Sequence, residues 1–165
     1  MHAANVLIRN TLTIIRVATA CKVPWVLENP RSSLLWQVPE MCSIAKQGAS
    51  TYTDLHMYGF GSRWRKATRL LSSRIAKMDE MIRKCCPSVA GVCSFSKQPH
   101  IRLQGRDPHG VSWTRRAQEY PARFCARLSE LLINAGRERE FETIAIERSD
   151  TFVVFKMMMA SFVFV

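Results

Sequence analysis

Two short strings hold the residue types that could do chemistry. The first is Trp25-Val26-Leu27-Glu28-Asn29-Pro30, in which a carboxylate closes a short apolar run. If that run is a buried strand, Glu28 points into the crevice where open α/β sheets bind ligands. A carboxyl group there can pair with the ring nitrogen and amine edge of a nucleobase; it could equally cap a neighbouring helix or loop. Pro30 biases Asn29 away from helix and turns the chain. The second string runs from Asp54 to Arg69 and packs Arg63, Arg65, Lys66 and Arg69 among Tyr58, Phe60 and Trp64. Cations interleaved with aromatics suit phosphates and unstacked bases, although an ordinary basic surface loop has the same composition. Gly59-Phe60-Gly61 is not a dinucleotide fingerprint, because the third glycine and the preceding strand are missing. A third group, Cys85, Cys86, Cys93, His100 and His109, offers soft and imidazole ligands to zinc. Its spacing is loose and lacks Cys-x-x-Cys, so unrelated thiols and surface histidines fit as well, and no metal is assigned. His100 with Arg102, Arg106 and His109 could also face phosphate.

The elements that must position these residues read as an α/β arrangement. Asn5 to Cys21 has helical spacing, with Asn5, Arg9, Thr13 and Arg16 as the polar stripe and Ile8, Leu12 and Ile15 on the apolar side. Val23 to Leu27, bounded by Pro24 and Pro30, reads as a buried strand. Helix then buried strand is half of an α/β repeat. Residues 31–53 read as loop and short helix, with one turn near Ser32–Trp36. Arg69 to Ser73 reads as a strand end, and Lys77 to Lys84 as a short helix. Cys85 to Gly110 is punctuated by Pro and Gly and reads as irregular. Pro121 opens a helix through Ile133, which Asn134-Ala135-Gly136 should end. These elements make residues 1–133 one domain and 134–165 a charged, then apolar, peripheral tail. Thr151 to Val165 is β-prone but too short for a membrane span. The first segment has a second reading: no acid precedes Glu28 while Arg9, Arg16 and Lys22 do, as in a mitochondrial transit peptide.

In this order the two strings resemble the second half of the catalytic domain of cytosine-5 DNA methyltransferases. The likeness is closer to a divergent branch carrying Glu-Asn-Pro where the usual enzymes carry Glu-Asn-Val. Tyr58-Gly59, the basic loop and Arg69-Leu70-Leu71 resemble the family's Tyr-Gly-x-Pro-Gln-x-Arg-x-Arg motif. Leu35-Trp36, Arg65-Lys66-Ala67-Thr68 and the late Thr114 to Pro121 string add to it, so the likeness spans roughly residues 5–133. The resemblance implies a partial Rossmann-like methyltransferase sheet with flanking helices and a loop-rich basic middle. It implies Glu28 on a flipped cytosine, and Arg63, Arg65 and Lys66 as a group on base and phosphate. It also implies Asn29, Tyr58, Trp64 and Arg69 as further nucleic-acid contacts, and S-adenosylmethionine as the family's cofactor.

The departures bear on activity. Gly61-Ser62 replaces Pro-Gln, and Trp64 falls where an Arg would be. Only 27 residues precede Glu28, with neither a Gly-rich cofactor loop nor a Pro-Cys nucleophile. Cys21 precedes Lys22 rather than a base-contacting loop and is not a nucleophile candidate. The chemistry needs a thiolate and a cofactor pocket. The expectation is therefore a truncated, methyltransferase-like chain inactive by itself, with no cofactor-binding residue to name. Two alternatives stand beside it: a non-catalytic basic nucleic-acid-binding module, or one half of a split methyltransferase completed by a chain carrying the missing amino half.

Charge supports a polyanionic partner. The net charge is +11, and it is concentrated: residues 61–128 hold 15 basic and 4 acidic side chains. Residues 1–60 net only +2, and 129–165 net −2. Nucleic acid, DNA ahead of RNA, is the commonest partner of such a field. An apolar fraction of 47% excludes a wholly disordered, collagenous or low-complexity chain. Six cysteines in 165 residues are too few for a disulfide scaffold. The expectation is an intracellular protein with reduced thiols, nuclear or nucleoid-associated, or mitochondrial if the first segment is a targeting peptide, with no membrane partner.

Overall fold

The structure, a computed structural model, describes residues 2–46, 48, 50–82, 92, 97–101 and 103–143. Its centre is a three-stranded sheet of β1 (Trp25–Pro30), β2 (Ser50–His56) and β3 (Ala67–Ser73), in the order β1-β3-β2. Both outer strands run antiparallel to β3, with Glu28 opposite Leu70 and Asp54 opposite Arg69. β1 and β2 therefore point the same way, and their carboxyl ends meet at one end of the sheet. The connection between them carries a helix, α2 (Pro39–Lys46), as crossovers between like-directed strands usually do. The chain is a mixed α/β protein. The sheet expected to be Rossmann-like is, among the described residues, this small one with antiparallel neighbours.

Side chains alternate across the strands, so each face of the sheet has its own core. On one face Trp25, Leu27 and Leu71 pack with Leu12 and Ile15 of α1 (His2–Ala20) and with Met41 and Ile44 of α2. On the other, Leu55 and Leu70 pack with Met57, Phe60, Met78, Met81 and with Phe124 and Leu131 of α4 (Ala122–Thr143), which follows the one-turn helix α3 (Trp113–Arg116). Neighbouring Leu70 and Leu71 are both fully buried, one in each core.

Local signals explain where elements begin and end. α1 closes with Lys22 in the left-handed region, φ 57°, while the Val23 N–H reaches back to the Ala18 carbonyl, a Schellman arrangement that normally takes glycine. The Trp25 indole donates to Thr19 Oγ1 at 3.1 Å and so ties β1 to that helix end. Past β1, the Pro30 carbonyl accepts from both the Ser33 N–H and the Trp36 indole. Ser33 then caps the 3-10 turn Leu34–Gln37. Pro39 opens α2, with Glu40 in its first turn and Lys46 in its last, in keeping with the helix dipole.

Three expectations are corrected. Residues 31–53 hold the expected short helix, α2, but also the start of β2, which was not expected. The strand hides because Thr51, Thr53, Tyr52 and Asp54 put polar atoms on both faces. The helix after Pro121 does not stop at Gly136, which is buried inside α4. The domain boundary at 133 therefore falls within a helix. Of the expected helix over Lys77–Lys84, the described residues 77–82 form the single 3-10 turn Met78–Met81. The tail from 144 to 165 lies outside the described residues. Among them, no helix is long and apolar enough to cross a membrane.

Candidate nucleobase and phosphate site

The loop between β2 and β3 starts with the 3-10 turn Met57–Phe60, closed by Gly61 at φ 93°. Glycine takes that conformation without steric cost. The Met57 N–H donates to the Lys66 carbonyl at 3.0 Å, which pinches the loop shut at its base. The whole basic string Arg63-Trp64-Arg65-Lys66 thus sits at the sheet end where β1 delivers Glu28. A backbone bridge from Trp64 to Ile101 and an edge-on contact of Tyr58 with His100, 4.6 Å between ring centres, brace the loop from outside.

Glu28 is largely buried and faces two groups. The Tyr120 hydroxyl donates to its Oε2 at 2.6 Å. Lys66 Nζ lies 3.6 Å from its Oε1, with both side chains under one-fifth exposed. That separation is an ion pair beyond hydrogen-bond reach, and Oε1 is buried without a hydrogen-bond partner. Lys66 also lies over the Tyr120 ring, 5.2 Å from its centre. Burial pushes the Tyr120 hydroxyl far above the ordinary phenol range, and the adjoining Glu28 charge and hydrogen bond raise it further. The ring is fixed by stacking on Phe124 at the start of α4, with Phe60 edge-on to Phe124. On the same face Thr68 is fully buried, its hydroxyl also without a partner. A buried acceptor left unpaired costs about 1–3 kcal/mol, so this end of the sheet is organised but incompletely satisfied.

Of the residues expected to act together, the structure joins Glu28 and Lys66. Arg63 and Arg65 are exposed on the same loop, and Trp64 is half-buried with its indole N–H unpartnered. Arg69 points to the other face, where its Nε and Nη2 grip the two Asp54 oxygens at 2.7 and 2.8 Å. It is therefore committed to that carboxylate. Asn29 lies beside it on that face, buried, with its Nδ2 unpartnered.

Tyr120 was missed as a partner of Glu28 because 92 residues separate them; the late Thr114 to Pro121 string was its only sequence signal. Asp54 was missed because β2 was not read as a strand. Cys85, Cys86, Cys93 and Arg102 lie outside the described residues. Among the described ones, no group of three or more His, Cys, Asp or Glu could hold a metal ion. His109 is exposed, and its backbone N–H donates to Asp107. Arg106 donates to the Gly110 carbonyl within the same turn. A groove of about 590 Å³ lies between α1 and α2, lined in part by Arg16, Thr19, Glu40 and Ser43, and includes neither Glu28 nor Asp54. No family model matches the chain, and neither a curated protein nor a solved structure gives a match.

Proposed function

We propose that this chain is the nucleobase-recognising part of a methyltransferase-like α/β domain, similar to cytosine-5 DNA methyltransferases, and that it engages nucleic acid without transferring methyl groups by itself. The reading rests on Glu28: a buried carboxylate at the carboxyl end of β1 with one oxygen unpaired and the Lys66 ammonium across from it. An acceptor of that kind suits the ring N–H and exocyclic amine of a base, while Lys66 suits a base carbonyl or a phosphate. Two like-directed strands ending beside it, and a basic hairpin loop folded over the same end, add support.

S-adenosylmethionine does not fit the residues present. Among the residues present, no Gly-rich turn precedes Glu28 to bring backbone close to an adenosyl group, and a Pro-Cys thiol occurs only as Cys86-Pro87 in reverse order. Glu28 and Lys66 can bind and orient a base, and neither supplies a thiolate.

A supplied amino half is favoured by one observation. Among the described residues β1 bonds only to β3 although both of its faces are covered, so a further strand can lie along its open edge. A simple basic module remains the second reading, supported by the charge of residues 61–128. The two part on Glu28. On a single-stranded oligonucleotide, the wild type should prefer a cytosine to an abasic position by about tenfold or more. Glu28→Gln should erase that preference and leave the salt dependence intact. No preference in the wild type would leave only the basic module, and methyl transfer to cytosine by the purified chain would overturn the non-catalytic reading.

A further inference from the structure

The opposite face of the same sheet end carries a second polar cluster, which base recognition does not use. Arg69 holds Asp54 through two hydrogen bonds, and Arg31 Nε lies 3.2 Å from Asp54 Oδ2. Arg69 is further fixed by lying 4.9 Å over the Tyr52 ring. His56 closes β2 beside them, near enough to Arg65 and Arg31 for both to oppose its protonation. Asn29 sits opposite Arg69 across the strands, 5% exposed, with an amide donor that has no partner. Two guanidinium groups thus hold one carboxylate, which leaves the cluster positive by one charge, with the exposed Arg65 near His56 beside it. Arg31 is 58% exposed, with its Nε toward Asp54.

We propose that this cluster is a phosphate-binding site, in which Arg31 and the Asn29 amide hold the oxyanion while Asp54 and Arg69 position them. The chemistry fits an acceptor-only, doubly hydrogen-bonding group. Guanidinium forks match phosphate oxygens two at a time, and a buried amide donor without an acceptor gains one when the oxyanion arrives. The occupant is a phosphodiester of the nucleic acid whose base meets Glu28 on the other face, so the proposal rests on the nucleic-acid reading above. Free phosphate offers the same oxygens and is separated from it by experiment.

The test uses the full chain, a labelled single-stranded DNA oligonucleotide and inorganic phosphate. Arg31→Gln should weaken oligonucleotide binding about fivefold at low salt and lower the magnitude of the log affinity against log salt slope by about 0.7, the loss of one phosphate contact on a single strand. Its melting temperature should stay close to wild type, because an exposed ion pair contributes little. If Arg31→Gln loses binding of inorganic phosphate but keeps oligonucleotide affinity and slope, the site stands with free phosphate as its occupant. Unchanged binding of both probes overturns the proposal. Glu28→Gln separates the two claims: it should abolish base preference and keep the slope. Failure of that variant alone counts against base recognition and leaves the phosphate site standing.

Discussion

Glu28 and Asp54 are two carboxylates at one end of one sheet, on opposite faces, and they are solvated by the protein in opposite ways. Asp54 is saturated: two guanidinium groups reach it, and the hydrogen bonds from Arg69, aided by the charges of Arg69 and Arg31, hold its carboxyl below the usual carboxylate range against the opposing effect of burial. Glu28 is more deeply buried yet has one phenol donor, one ammonium out of hydrogen-bond range and one unpaired oxygen. A saturated carboxylate organises its own cations. An unsaturated one is kept in low dielectric at a cost, and a ligand that donates to it recovers that cost. The two faces are alike in their cores and differ in what they leave unpaired at the end.

The comparison can be broken at several points. The largest effect should come from the cores. Leu70→Ala and Leu71→Ala each remove a fully buried side chain and should cost about 2–5 kcal/mol in denaturant unfolding. Similar losses would mean the faces are equally well packed, and a large inequality would sink that part of the comparison. Next, Asp54→Ala strands Arg69 and Arg31 and should cost about 1–2 kcal/mol, a figure kept low because the group is one-third exposed. Tyr120→Phe removes the one side-chain hydrogen bond to the Glu28 carboxylate among the described residues and should cost about 1 kcal/mol. Glu28→Gln should cost less than either, since it trades an under-satisfied charge for a neutral amide. A Glu28→Gln loss exceeding that of Asp54→Ala would reverse the assignment of which carboxylate is structural.

The smallest effects are in pH. His56 is held below its ordinary 6.5, by burial first and then by Arg65 and Arg31. The unfolded chain therefore takes up that proton first. The associated stability is present above about pH 6.5 and is lost as the pH falls. Asp54 lies below its ordinary 3.8, so its stabilisation is present above that value and disappears as the pH falls through its folded pKa. Tyr120 acts at the other extreme. Its folded pKa is raised above the ordinary 10.0, so its contribution is whole below pH 10 and declines above it. Thermal melts across pH should thus weaken on acidification in two stages and again in alkali. In Tyr120→Phe the alkaline stage should shrink while both acid stages stay.

The sequence disclosed the elements with strong periodicity. The stripe of Ile8, Leu12 and Ile15 located α1, the apolar run after Pro24 located β1, and Pro121 with Phe124 and Leu131 located the start of α4. It did not disclose β2, because a strand with threonines on one side and Tyr52, Asp54 and His56 on the other has no apolar alternation. Missing β2 also hid Asp54, and with it the commitment of Arg69. Gly136 misled because glycine ends a helix only where the chain turns into the left-handed region, whereas here it is packed within α4. At the site, Glu28 and Lys66 were legible as types in order. Their arrangement depends on Tyr120, whose approach is a product of how α4 lies on the sheet.

Prolines stand immediately before β1 and at its last position, Pro24 and Pro30. Neither has an N–H to offer a newcomer. The strand's outer ladder is therefore bounded by proline at both ends, and a segment added there finds outward N–H groups only at alternate residues between them. Proline at each end of an edge strand is a device that discourages open-ended pairing with further chains.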